Sequence, residues 1–133
     1  MTAASLSSAG DRDRKPMVID DDHLERMTLG DRRLEREVLE LFVRQTAIML
    51  DRIVGADPAL AAAAAHTLKG SARGIGAWRV ARAAELLEHA AGFAGSEDDV
   101  AEAVSELKGA SLEASAAIGA RLTVLLTELA RDR

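Results

Sequence analysis

AAAAAHTLKGSARGIGAWRVARAAELLE, residues 61–88, has no proline and opens with five consecutive alanines that run into His66. Alanine is the strongest helix former, so the run is expected to be helical well before its function is considered. Just upstream, Asp57 supplies an N-cap and Pro58 suits the first helical position. Gly74 and Gly76 bracket Ile75 and predict the turn at which this helix stops and the chain reverses. On a wheel of about 100° per residue, Leu60, Ala64, Thr67, Leu68, Ser71 and Ile75 form an inward stripe. Ala59, Ala62, Ala63, His66, Lys69, Gly70 and Arg73 fall on the opposite side, so the histidine is expected to face solvent, framed by side chains no larger than a methyl group.

The flanking segments repeat the helical pattern. Ala77 to about Ala94 predicts a helix with Val80, Ala83, Ala84, Leu87, Ala91 and Ala94 inward and Trp78 anchoring the end of the bundle. Upstream, Arg32 to Val54 carries Leu34, Val38, Leu41, Phe42, Ile48, Met49 and Ile53 at three- and four-residue intervals. Gln45 lies within that stripe, and an unpartnered buried glutamine would cost about 1–3 kcal/mol, so a partner is expected, either a neighbouring backbone group or the edge of the histidine site. Asp20, Asp21 and Asp22 cap a short helix through His23, Leu24, Met27 and Leu29, which Gly30 closes before Asp31 caps the next. After Gly95, Ser96 with Glu97, Asp98 and Asp99 forms a capping box. The last segment places Val100, Val104, Leu107, Ser111, Ile118, Leu122, Leu125 and Leu129 at helical spacing, with Gly109 and Gly119 as points where it is expected to bend or divide. No segment alternates as a strand would. Short connections between amphipathic helices imply an all-α, antiparallel four-helix bundle with a short additional N-terminal helix. Residues 1–17, rich in Ser, Ala, Gly and charge, read as a flexible tail ahead of a single bundle domain over 18–133.

Composition narrows the function classes. A net charge of -5 and a pI near 5.2 provide no basic footprint for nucleic acid. With no cysteine, neither a disulfide framework nor a thiolate metal site is available, and a cytoplasmic location is the expectation. The N-terminus lacks a signal-like apolar run, and no later segment reads as long and apolar enough to span a bilayer, so a soluble protein is expected. A monomer is the expectation, with Leu122, Leu125, Leu126 and Leu129 of the last helix able to pack either on their own bundle or on another chain. Aromatic residues are only 2% of the chain, namely Phe42, Trp78 and Phe93, so alanine and aliphatic side chains must build the core.

An exposed imidazole is well suited to carrying a phosphoryl group at neutral pH: its neutral nitrogen is nucleophilic and the phosphoramidate it forms stays labile. Lys69, three residues beyond His66, lies on the same face, where its ammonium can offset the phosphoryl charge. Gly70 leaves a hollow beside the ring. Glycine inside a helix is unfavourable by roughly 1 kcal/mol, and access for a partner's active-site pocket is a compensating reason. Ala59, Ala62 and Ala63 continue the flat ground, while Arg73, Arg79 and Arg82 form either a solvated face or a surface that steers an acidic partner.

Residue by residue, this stretch resembles the histidine-containing phosphotransfer (HPt) domain of multistep phosphorelays. The likeness lies in His66, Leu68, Lys69, Gly70, Ser71 and Ala72, then Ile75, Gly76 and Ala77, with Ala84, Leu87 and Glu88 downstream. It extends weakly back through GDRRLEREVLELFVRQ and covers roughly Ile19 to Phe93, whereas the C-terminal segment matches only as an amphipathic helix. The resemblance implies a phosphoryl carrier, not a kinase, in which His66 accepts a phosphoryl group from the aspartate of a receiver domain and passes it to another. The partners implied are response regulators or a hybrid histidine kinase. Lys69 would support the phosphoryl group and Gly70 would give access; any Mg2+ would sit in the receiver, and no metal or other cofactor is expected on this chain. Glu88 stands where the family often has glutamine or another polar residue that orients the imidazole; a carboxylate there could orient the ring but would repel a phosphate that came close.

The rival readings are weaker. His23 and His89 read as ordinary surface histidines. A zinc site lacks helically spaced ligands around His66, and a Ser-His-Asp set lacks both an outward Ser71 and a sequence-adjacent acid. The remaining alternative is a helical adaptor that binds receiver-like partners through the Ala-rich face without being phosphorylated. A chemotaxis-kinase module is disfavoured because no catalytic domain follows in the sequence.

Overall fold

The computed structural model describes residues 18–92 and 95–131; the 1–17 tail reading, Phe93 and Ala94 lie outside them. The described residues form α1 (Asp21–Thr28), α2 (Arg32–Ile53), α3 (Pro58–Ile75), α4 (Trp78–Gly92) and α5 (Glu97–Arg131), with no strand among them. Helices α2 to α5 make the all-α antiparallel four-helix bundle and α1 is the short additional helix, packed on α2 and α3.

The caps follow from the local sequence. Asp20, Asp31 and Asp57 accept backbone N–H groups of His23, of Arg33 and Leu34, and of Leu60, each satisfying donors that a helix start leaves unpaired. Ser96 and Asp99 cap one another reciprocally, the Ser96 amide donating to the Asp99 carboxylate and the Asp99 amide to Ser96 Oγ. The end of α1 differs from expectation: Leu29 itself takes the left-handed conformation at φ 55°, one residue before Gly30.

Gly76 caps α3 at φ 80° and ties Asp20, the N-cap of α1, to the α3–α4 turn. Its carbonyl accepts the Asp20 amide at 2.9 Å, and Trp78 Nε1 donates to Asp20 Oδ2 at 2.9 Å. Trp78 is therefore the expected end anchor, although it is half-exposed. His23 packs edge-on to its ring with centroids 4.9 Å apart, so it is not the plain surface histidine expected.

The core is built from Leu24, Leu39, Leu68, Leu87, Leu107 and Leu125 together with alanines of α3 and α4, the most extensively packed helix pair. Small side chains let these two axes approach closely. Several helix faces are rotated relative to the sequence reading. In α2 the buried positions are Glu35, Leu39, Phe42, Thr46 and Ile53, while Leu34, Leu41 and Ile48 are exposed. Apolarity alone misplaces this face because Glu35 is buried against Arg121 Nε of α5, 2.5 Å away. In α3, Ala61, Ala65 and Ala72 are buried with Ala64, Leu68 and Ile75, whereas Leu60 is 62% exposed, Thr67 is exposed and Ser71 is half-buried. Close packing against α4 selects the methyl face, and a wheel weighted by leucine points elsewhere.

Helix α5 runs undivided through Gly109 and Gly119. Each glycine costs about 1 kcal/mol, but Leu107, Ser111, Ala114, Ile118 and Leu125 are buried along one face and keep the helix supported. Val100, Val104, Leu122 and Leu129 are only partly buried. The sequence reading also needs correction over bilayer-spanning length. Between residues 109 and 126 only Glu113 and Arg121 are charged, and α5 is long and apolar enough to cross a membrane by length and composition alone. Within the bundle the same helix packs against α2 and α4.

Candidate functional site around His66

His66 lies near the middle of α3, with a side chain 67% exposed. The exposed surface beside it is made by Ala59, Ala63 and Gly70, with Ala62 half-buried. A Cβ built on Gly70 meets nothing within 4 Å, so the fold itself does not demand glycine there.

The ring is held from α4. His66 Nδ1 lies 2.7 Å from Glu88 Oε2. A carboxylate only accepts, so the proton sits on Nδ1 and the lone pair is left on Nε2. The other oxygen of Glu88 accepts from Lys69 Nζ at 2.7 Å. The Lys69 ammonium holds the Glu88 carboxyl below the ordinary carboxylate range, burial opposes this, and the His66 hydrogen bond lowers it further. Lys69 is thus drawn inward, with a side chain only 15% exposed, instead of standing free in solvent beside the imidazole.

Glu88 is the residue whose placement the sequence left open, and the α3–α4 packing brings it together with His66 and Lys69. Gln45 is half-buried on α2 and makes no hydrogen bond to these three among the described residues. Arg73 is exposed and donates to Glu85 at 3.2 Å; Arg82 pairs with the same carboxylate, and Arg79 with Glu113. The arginine face is therefore partly neutralised within the protein. The sequence reading missed Glu85 and Glu113, which lie on the exposed faces of α4 and α5 and could be paired only once the helices were aligned. Among the described residues no group of three His, Asp or Glu side chains is placed to hold a metal ion.

Comparison with known proteins agrees with this architecture. A rice protein provisionally described as a histidine-containing phosphotransfer protein has a crystal structure similar to this chain, with a TM-score of 0.74 and 17% sequence identity. The match covers 94% of this chain and 91% of the rice chain, a likeness of fold. No curated protein matches the sequence. The family model of the Hpt domain matches residues 37–131, so it takes in α5 as well as the histidine motif. The chain belongs to the Hpt domain family, the phosphoryl carriers of histidine phosphorelays.

Proposed function

We propose that His66 is the phosphorylated residue and that the protein relays phosphoryl groups between aspartates of receiver domains. The observation that carries this reading is the His66–Glu88 hydrogen bond, which fixes the proton on Nδ1 and leaves Nε2 as the nucleophile of a largely exposed ring. Nε2 attacks the phosphorus of a receiver's aspartyl phosphate, the N–P bond forms, and the aspartate leaves as a carboxylate. The reverse attack, by the aspartate of a second receiver, returns the electron pair to Nε2. The open surface at Ala59, Ala63 and Gly70 suits the close approach of a receiver pocket, which would bring its own Mg2+. No ATP-dependent step belongs to this chain, and the proteins expected to dock on it are response regulators or the receiver of a hybrid kinase in the cytoplasm.

The test is transfer from a phosphorylated receiver, followed as acid-labile, base-stable label. Wild type is expected to take up label and His66→Gln to take up none. Absence of transfer to wild type would overturn the reading, and transfer surviving in His66→Gln would move the site elsewhere.

A further inference from the structure

A groove of about 550 Å³ runs between α4 and α5. Its middle is lined by Ala83, Gly109 and Ala110, so nothing larger than a methyl group stands between the two helices there. Trp78 and Leu86 edge it on the α4 side and are 42% and 41% exposed. The indole is held in place by its hydrogen bond to Asp20 and by the edge of His23, which makes it a fixed aromatic surface. The charges are sorted by wall: Arg79 and Arg82 stand on α4, Glu106 and Glu113 on α5. We infer that this groove is a self-association surface, in which two copies of the chain pair face to face about a two-fold axis running along it.

The order of the charges selects the occupant. An anionic ligand would meet Glu106 and Glu113, and a basic one would meet Arg79 and Arg82. A second copy brings a positive and a negative wall of its own. In an isologous contact each patch meets its own image, and an axis parallel to the helices lays the α4 wall of one copy over the α5 wall of the other at the same level. The level is fixed within the chain, where Arg79 donates to Glu113 at 2.6 Å. Arg79 of each copy therefore comes over Glu113 of the other. Helices α4 and α5 are antiparallel, so Arg82, three residues on, falls over the part of α5 between Glu106 and Glu113. Arg82 has a side chain 72% exposed, and Glu106 is exposed without an ion pair among the described residues, so both are available to such a contact. Complementary walls fix the register, while the apolar lining between them is removed from water.

This surface is separate from the histidine site. Glu88, which holds the His66 ring, is nine residues beyond Arg79 and so about 180° around α4 at about 100° per residue. Pairing along the groove leaves His66 of both copies facing outward, and the inference does not depend on what His66 does.

The experiment is sedimentation velocity on the full chain from about 1 μM to about 1 mM, the range in which a modest protein contact is half-formed. Wild type is expected to pass from 14.1 kDa to twice that mass as concentration rises. Arg79→Glu with Arg82→Glu in one variant, and Glu106→Arg with Glu113→Arg in another, each set like charges across the axis and should weaken the dimer by at least about tenfold. Mixing the two variants should restore it, because each supplies the wall that the other lacks. Gly109→Gln, at a position where a Cβ meets nothing within 4 Å, should keep the far-UV circular dichroism of wild type and also weaken the dimer by filling the groove. Wild type remaining at 14.1 kDa throughout would overturn the inference. So would a dimer that the wall variants or Gly109→Gln leave unchanged, which would place the contact elsewhere, and so would wall variants that stay monomeric when mixed.

Discussion

At the scale of the residue, His66 is gripped on its Nδ1 side and open on the other, and its neighbours divide by that asymmetry. Gly70 belongs to the open side: nothing lies within 4 Å of a Cβ built there, so Gly70→Leu is expected to keep the helical circular dichroism of wild type while lowering the rate of transfer from a receiver by at least about tenfold through obstruction. A variant that relays at the wild-type rate would show the hollow to be dispensable. Glu88 belongs to the gripped side. Because Lys69 lowers its carboxyl below the ordinary value of 4.5, the pairing stabilises the fold above that pH and is lost as pH falls through the depressed folded-state value. The stability advantage of wild type over Lys69→Met, read from urea denaturation, should accordingly be full at pH 6 and shrink below pH 4.5. His66, Lys69 and Gly70 are legible in the sequence because a single helix fixes their spacing. Glu88 is 22 residues away on another helix, so its contact with His66 depends on the α3–α4 alignment. Gln45 lies half-buried on α2, in an apolar stripe out of phase with the buried face of that helix.

At the scale of the element, helix ends were more legible than helix faces. A cap is a contact over two or three residues, so Asp20, Asp31, Asp57 and Ser96 could be read directly. A face depends on what packs against it, and in α3 that is the methyl surface chosen by α4. Two glycine classes make this testable. Gly76 is left-handed, and a Cβ there would come within 2.9 Å of Asp20 Cβ and 3.1 Å of its carbonyl oxygen. Gly76→Ala is expected to destabilise by about 2 kcal/mol, combining the left-handed cost with displacement of the α1 cap. Gly109 and Gly119 lie inside α5 with open space around them. Replacing either by alanine should stabilise by about 0.5–1 kcal/mol. Thermal denaturation distinguishes the classes by the sign of the shift in Tm.

At the scale of the whole molecule, α5 is tied to the start of the chain by charge. Arg121 donates to Glu35 at 2.5 Å and to Asp21 at 2.7 Å, and Arg32 pairs with Glu128. These partners are 86 to 100 residues apart, which explains why the sequence showed α5 only as an amphipathic helix. Glu35 is 3% exposed, so Arg121→Met leaves a buried carboxylate without its cation and is expected to cost about 3 kcal/mol in chemical denaturation. The bundle so fastened packs α3 closely against α4, and the His66 ring is placed by that pair. The most direct measurement is 1H–31P correlation NMR on the protein after phosphorylation by a receiver domain. The account predicts phosphorus bonded to Nε2 of His66, with Nδ1 still protonated; phosphorus on Nδ1, or on any other residue, would contradict it.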